Sequence, residues 1–521
     1  MKLSLTLLAA SVAAAHADSE SSASRWASLR RRLSFDKVAG YEPGSQVTDH
    51  CAIDLDQKAI EDQLLLKTPE AFANAKKIYN NGGNSKSYAI VTVEAGLSDN
   101  VSKGDQILGK NAEGGEVSGK AYAAASAGDK TIMVQYTTSD KQASYVECQV
   151  GSLMEPNMKG CLAATGTITI DGKAQTYEYD PATQNNNGRT IAKFSTGAKE
   201  LMLDCAKGCP YNDYKAFYDY YGMDDYANEW VEAAFEGRKT QFTRGDADFT
   251  KFGMDGREQA IKKGTAYMNI FMYVIREFED ALDDCESQCI NCNEGSVHAW
   301  DEGVCFYTGS IEGEDGLTDD GKLLHQLGDK RCGNFKTCGE EGTNLDGTAK
   351  VNHQLFDLFA VGNDQLKRGE CESARKTTQK VKELMYIPMI QGTLRYAYKV
   401  SKLQGGEVEK AEGATFAAAV LPMVHAASSS AASTIHDNMK VGATSTDFKA
   451  VKSAFESVYS KMGLTCADIG GLWFEGENKY YPGMEPCGGV GASAESANSS
   501  FRLGLSAISS LCISALMYFS L

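Results

Sequence analysis

The sequence predicts an α+β fold that is mostly helical, and three observations carry the prediction. From about residue 209 to Tyr459 apolar residues recur at three and four spacing with few prolines, the period of amphipathic helices. Between 87 and about 198 the period changes to short β-branched and aromatic runs parted by Gly, Asp and Ser, the pattern of an antiparallel sheet. Two stretches of the helical part, "FEGRKTQFTRGD" (235–246) and "FAVGNDQLKRGE" (359–370), also align without a gap, and "VHA" at 297–299 recurs at 424–426. Such self-similarity points to two pseudo-repeated helical bundle units, about 230–350 and 354–470, joined to a β-rich N-terminal region.

The elements follow in order. Lys2, the apolar run Leu3–Ala15 and the small-x-small triplet Ala15, His16, Ala17 predict a secretory signal over 1–17. Residues 18–50 read as a disordered leader, basic at "RWASLRRRL" (25–33). Residues 51–200 hold one helix over 54–80, with Ile60, Leu64, Leu65, Ala71, Ala75 and Ile78 on its apolar side, and then the strands "SYAIVTVEAGL", "TIMVQYTT", "SYVECQVG", "TGTITIDG" and "QTYEYD". Residues 201–487 form the helical domain. The last segment, 488–521, is a linker and an apolar tail from Leu503, with small residues at Gly491, Ala492 and Ser493. That layout fits a glycosylphosphatidylinositol signal or a short single-span anchor, and it leaves both open.

Composition bounds the function. A formal charge of −17 leaves no basic face to neutralise phosphates, which excludes a nucleic-acid binder. Of 15 cysteines one, Cys512, lies in the tail; the even remainder suits disulfides in an oxidising compartment. The clusters Cys205/Cys209 and Cys285/Cys289/Cys292 lack the spacing and the histidines of a zinc site. Asn100-Val-Ser102 and Asn498-Ser-Ser500 are glycosylation acceptors.

Three faces carry candidate chemistry. At about 100° per residue, His298, Asp301, Glu302 and Cys305 share one stripe of a helix, while Val297, Trp300, Val304 and Tyr307 share the other. An imidazole with two carboxylates is a chelating set of the kind found in bundle cores, suited to iron, manganese or zinc. The competing reading is a solvated face in which His298 pairs with Glu302. In "NIFMYVIREFEDALDD" a second stripe carries Tyr273, Glu277, Asp280 and Asp284, hard oxygen donors of the kind ferric ion prefers. In "MIQGTLRYAYKVSK" the comparable stripe is basic, with Arg395, Lys399 and Lys402, and the choice there lies between ordinary salt bridging and an anion site. Glu229 and Glu232 add a carboxylate pair. No G-x-S-x-G elbow, H-E-x-x-H motif or phosphate loop occurs, so the chain is not expected to be an enzyme.

The ordered motifs "HAWDEGVCFYTGSIEG", "GKLLHQLGDKRCGNFKTCG", "AKVNHQLFDLF", "IPMIQGTLRYAYKVSKLQGG", "AEGATFAAAVLPMVHA" and "CADIGGLWF" resemble the low-iron-inducible periplasmic, or Fe-assimilating, protein family of algae, with the phytotransferrins nearest. The resemblance runs from about residue 200 to Cys487. It implies a membrane-anchored, iron-starvation-induced surface protein that binds ferric iron with carbonate and passes it inward by endocytosis. Some relatives are linked instead to high CO2, and a looser likeness to imelysin-type proteins supports helical bundles. The expected metal ligands are His298, Asp301, Glu302, Tyr273, Glu277 and Asp280, with Arg395 and Lys399 for carbonate. A non-catalytic CO2-responsive surface protein and an imelysin-like metal-dependent peptidase are the alternatives. Cys305 stands where the family pattern suggests a small residue, which leaves its pairing open.

Overall fold

The computed structural model describes residues 37–45, 47–82, 84–85, 89–136, 162–178, 189–203, 211–287 and 295–487. The signal, the basic run at 25–33, the strand "SYVECQVG" and the apolar tail lie outside them. So do Cys148, Cys161, Cys205, Cys209, Cys289 and Cys292.

The helix expected over 54–80 is two helices, α2 (Ile53–Leu64) and α3 (Pro69–Asn81), preceded by the short α1 (Thr48–Cys51). The break has a local cause. Lys67 adopts φ 51°, Thr68 caps α3 by accepting the Ala71 N–H, and Pro69 occupies the first turn where it needs no donor. Ile60, Leu64, Ala71, Ala75 and Ile78 are buried as the apolar pattern requires, whereas Leu65 sits in the break and is exposed.

Six antiparallel strands follow: β1 (Ala89–Val93), β2 (Gln106–Lys110), β3 (Glu116–Ala121), β4 (Thr131–Tyr136), β5 (Thr165–Ile170) and β6 (Lys173–Glu178). They close into a barrel in the order β1-β4-β3-β2-β5-β6, with β6 returning to β1. Closure removes the open edges that would otherwise template aggregation. Val117, Gly119 and Ala121 point inward along β3, and Val91, Ile132, Val134, Ile168 and Tyr177 fill a core separate from that of the helices.

The rest is helical: α4 (Ile191–Thr196), α5 (Asn212–Tyr221), α6 (Tyr226–Glu236), α7 (Met254–Gly264), α8 (Phe271–Glu286), α9 (Ser296–Thr308), α10 (Leu324–Phe335), α11 (Lys350–Lys367), α12 (Cys371–Met385), α13 (Ile387–Lys402), α14 (Glu407–Ala427), α15 (Ser429–Met439) and α16 (Phe448–Glu456). A π-helical segment, Thr265–Ile270, joins α7 to α8 without a turn. Helix α8 lies against α9, and α13 against α14. The stretches aligned in the sequence differ in conformation. The first leaves its helix after Glu236, while the second stays helical to Lys367; one "VHA" begins α9 and the other ends α14.

Four disulfides tie the described chain: Cys51–Cys305, Cys285–Cys371, Cys332–Cys338 and Cys466–Cys487. Cys305 is therefore paired and offers no thiol to a ligand. Its bond, with the buried Tyr41 and His50, also corrects the leader: the chain from Lys37 onward is packed against α9 rather than disordered. Asp54 at the start of α2 clasps the far end of α9, accepting from Ser310 Oγ at 2.8 Å and the Ile311 N–H at 2.7 Å. Among the described residues no helix is long and apolar enough to cross a membrane.

Candidate metal centre

Helix α9 is seated by two close approaches that only glycine permits. A Cβ at Gly303 would stand 2.8 Å from the Phe278 ring of α8, and one at Gly362 of α11 would stand 2.1 Å from the Trp300 indole. The indole N–H donates to the Phe359 carbonyl at 3.0 Å. With Trp300 fixed on the α11 side, residues 298 and 302 face the N-terminal segment and α8.

There the donors converge. His298 and Glu302 lie one turn apart, with His298 Nε2 3.3 Å from Glu302 Oε1. His50, on α1, meets the same carboxylate oxygen through Nδ1, and Arg189 Nη2 reaches it at 3.3 Å while standing 2.7 Å from His50 Nε2. His50, His298 and Glu302 each present one donor atom, all within 4.8 Å of one another. A metal with ligand bonds of about 2.1 Å spaces its donors about 3–4 Å apart, so a small closure would bring this set onto one ion. His298 is oriented from behind: its Nδ1 lies 3.0 Å from Ser45 Oγ, which leaves Nε2 for the cluster. Burial pushes the Glu302 carboxyl up, but His50, His298 and Arg189 together hold it well below the usual carboxylate range.

Helix α8 supplies the facing wall. Tyr273, Glu277 and Asp280, read from the sequence as a second cluster, lie within electrostatic reach of Glu302. Glu277 is buried, takes a 2.8 Å bond from Arg276 on one oxygen, and keeps Oε1 buried without a hydrogen-bond partner among the described residues. Burial pushes its carboxyl well above the ordinary range against the pull of Arg276, and the charges of Glu302 and Asp280 push the same way. Asp280 pairs with Arg276 at 3.1 Å. The Tyr273 ring stacks on Phe194 at 3.8 Å, and burial raises its phenol well above 10.

Asp301 points elsewhere. It is fully buried and accepts from Tyr41 Oη (2.6 Å), Asn363 Nδ2 (2.9 Å), the Ser45 N–H (2.7 Å) and Ser45 Oγ (2.7 Å). With its lone pairs used, it is a latch for the N-terminal segment and not a free ligand. Tyr307 lies on the apolar side as expected, its hydroxyl donating to Asn352 at 2.6 Å. Glu229 is held by Arg238 at 2.6 and 2.9 Å, and Glu232 by Lys76 at 2.5 Å. Arg395 and Lys399 lie on α13, their charged groups 5.1 and 5.4 Å from the Tyr396 ring, with Lys399 3.7 Å from Glu409. They belong to the α13–α14 pair, not to the His50–His298–Glu302 cluster. Sequence reasoning missed His50, Ser45 and Arg189; the adjacency of His50 to Cys51 is the one signal that could have found the first.

No curated protein and no solved structure matches the chain. The family model described as low iron-inducible periplasmic protein, Fea1, matches residues 215–478, which takes in α8, α9 and α13 but neither His50 nor Arg189. That match spans just over half of the 521 residues, and the chain belongs to the low iron-inducible periplasmic protein family.

Proposed function

We propose that the chain captures ferric iron outside the cell and holds it at His50, His298 and Glu302, with Glu277, Asp280 and Tyr273 of α8 as the remaining oxygen donors. The observation that carries the reading is the convergence of two imidazoles and a carboxylate in a family induced by low iron. Hard oxygen donors with imidazole suit iron. A cation between α8 and α9 would also relieve the repulsion that Glu302 and Asp280 impose on Glu277. Carbonate falls to Arg189 or Arg276, the guanidinium groups that pair with Glu302 and Asp280, whereas Arg395 and Lys399 lie on α13, which packs against α14. Arginine suits a planar oxyanion because its fork donates two parallel hydrogen bonds. Surface display through the C-terminal segment and uptake by endocytosis complete the proposal, which involves no catalytic step.

The test is titration of the purified chain with ferric citrate, with and without bicarbonate. Wild type binds one equivalent more tightly with bicarbonate, and His298→Ala or Glu302→Gln weakens binding at least tenfold. Equal affinity in both variants would assign the cluster to an ordinary ion-pair network. Metal-dependent peptide cleavage lost in His298→Ala would favour the hydrolase reading.

A further inference from the structure

The interior between α7, α10, α13 and α14 is the electrostatic opposite of the metal centre. Arg331 of α10 turns its guanidinium inward, where Nε and Nη1 are both buried and meet no hydrogen-bond partner among the described residues. The titratable groups within its electrostatic reach are Tyr396 and Arg395 of α13, Tyr267 and Glu412. Lys399 lies within reach of Arg395, Glu409, Glu412 and Arg331. Glu412 is already engaged by Lys263 at 3.2 Å, and Glu409 by Lys399 at 3.7 Å. Arg331 and Arg395 have no carboxylate within ion-pair distance among the described residues. Four cations thus share two carboxylates, and of the two guanidinium groups left over Arg331 is the one with Nε and Nη1 buried.

A buried, unpaired guanidinium is costly, and a protein retains one where something else completes it. Burial draws the Arg331 pKa below its ordinary value, the sign of a charge without enough partners. Two neutral phenols stand beside it, and Tyr396 shares its hydroxyl with Glu412. Tyr396 and Tyr267 stack on Phe416 from its two neighbouring elements, with centroids 5.9 and 5.3 Å away. Burial pushes the Tyr396 phenol up to about 12, so it keeps its proton. Tyr267 belongs to the π-helical segment, a distortion found often at functional sites.

From this geometry we infer a second site, for a small oxyanion of the phosphate, sulfate or carboxylate class, bounded by Arg331, Arg395, Lys399, Tyr267 and Tyr396. The anion supplies the charge that Glu412 and Glu409 do not, and accepts the hydrogen bonds that Arg331 Nε and Nη1 leave unmade. Lys399, with a side chain 29% exposed, marks the way in from solvent. The site does not rest on the iron reading, because its residues lie on other helices than His50, His298 and Glu302.

The experiment is isothermal titration of the full, metal-free chain with sodium phosphate, sulfate and acetate at an ionic strength fixed with chloride. Wild type shows saturable binding of at least one of them. Arg331→Met, which keeps the length and removes the charge, weakens that binding at least tenfold and raises the melting temperature in anion-free buffer. Arg395→Gln, at a residue partly open to solvent, weakens it several-fold without disturbing the core, and His298→Ala leaves it unchanged. Absence of saturable binding to wild type, or an unaltered affinity in Arg331→Met, overturns the site whatever the outcome for iron.

Discussion

Asp301 and Glu302 are neighbours on α9 and do opposite work. A helical stripe drawn from His298 includes both, because i+3 and i+4 straddle the same line. Which flank faces the cluster depends on Trp300 packing on Gly362, a contact between helices that no periodicity contains. Glu302 thereby meets His298 and His50, while Asp301 meets Tyr41 and Ser45. Burial raises the Asp301 carboxyl from 3.8 to about 6 against the hydrogen bonds of Tyr41 and Ser45. The folded state therefore takes up a proton that the unfolded chain releases earlier. The resulting stability is fully present below about pH 4 and is lost as pH rises through about 6. Asp301→Asn loses the bond from the Ser45 N–H and costs about 1–3 kcal/mol. That penalty is larger at pH 4 than at pH 7, as urea unfolding of the two proteins across this range measures, and a constant penalty would remove the assigned shift. Iron affinity falls less in Asp301→Asn than in Glu302→Gln, since Asp301 acts only through Ser45 and His298.

At the scale of elements, the faces within a single helix were legible and the meetings between segments were not. The α8 stripe reads as Tyr273, Glu277, Asp280 and Asp284 and the α9 stripe as His298, Asp301, Glu302 and Cys305; of the latter, His298 and Glu302 meet at the cluster, while Asp301 turns to Tyr41 and Ser45 and Cys305 to Cys51. His50 was illegible because its helix is four residues long and lies in a stretch whose polar composition reads as leader. What places it is the Cys51–Cys305 bond, which crosses a sequence separation of 254. Removing a native disulfide typically costs about 2–5 kcal/mol. The double variant Cys51→Ser with Cys305→Ser should melt earlier by a corresponding amount and bind iron more weakly, because the adjoining His50 loses its tether to α9. Calorimetry and titration on one preparation check both effects, and full iron affinity in the double variant would take His50 out of the site.

For the whole molecule, the sequence conveyed the α+β class and the antiparallel character of the β region, since alternation and turn residues are local. Closure of the six strands was hidden, because it depends on β6 returning to β1 across the intervening strands. The candidate metal cluster has the same long-range character: His50 and Arg189 flank the barrel in sequence, whereas His298, Glu302 and Glu277 come from the family-matched helices. The proposed iron centre is thus a single site assembled from two parts of the chain and containing two imidazoles. Iron K-edge X-ray absorption on the ferric-loaded full chain measures this directly. It should show a nitrogen and oxygen shell with the outer scattering of two histidine rings, reduced to one in His50→Ala; a loaded protein without imidazole scattering would contradict it.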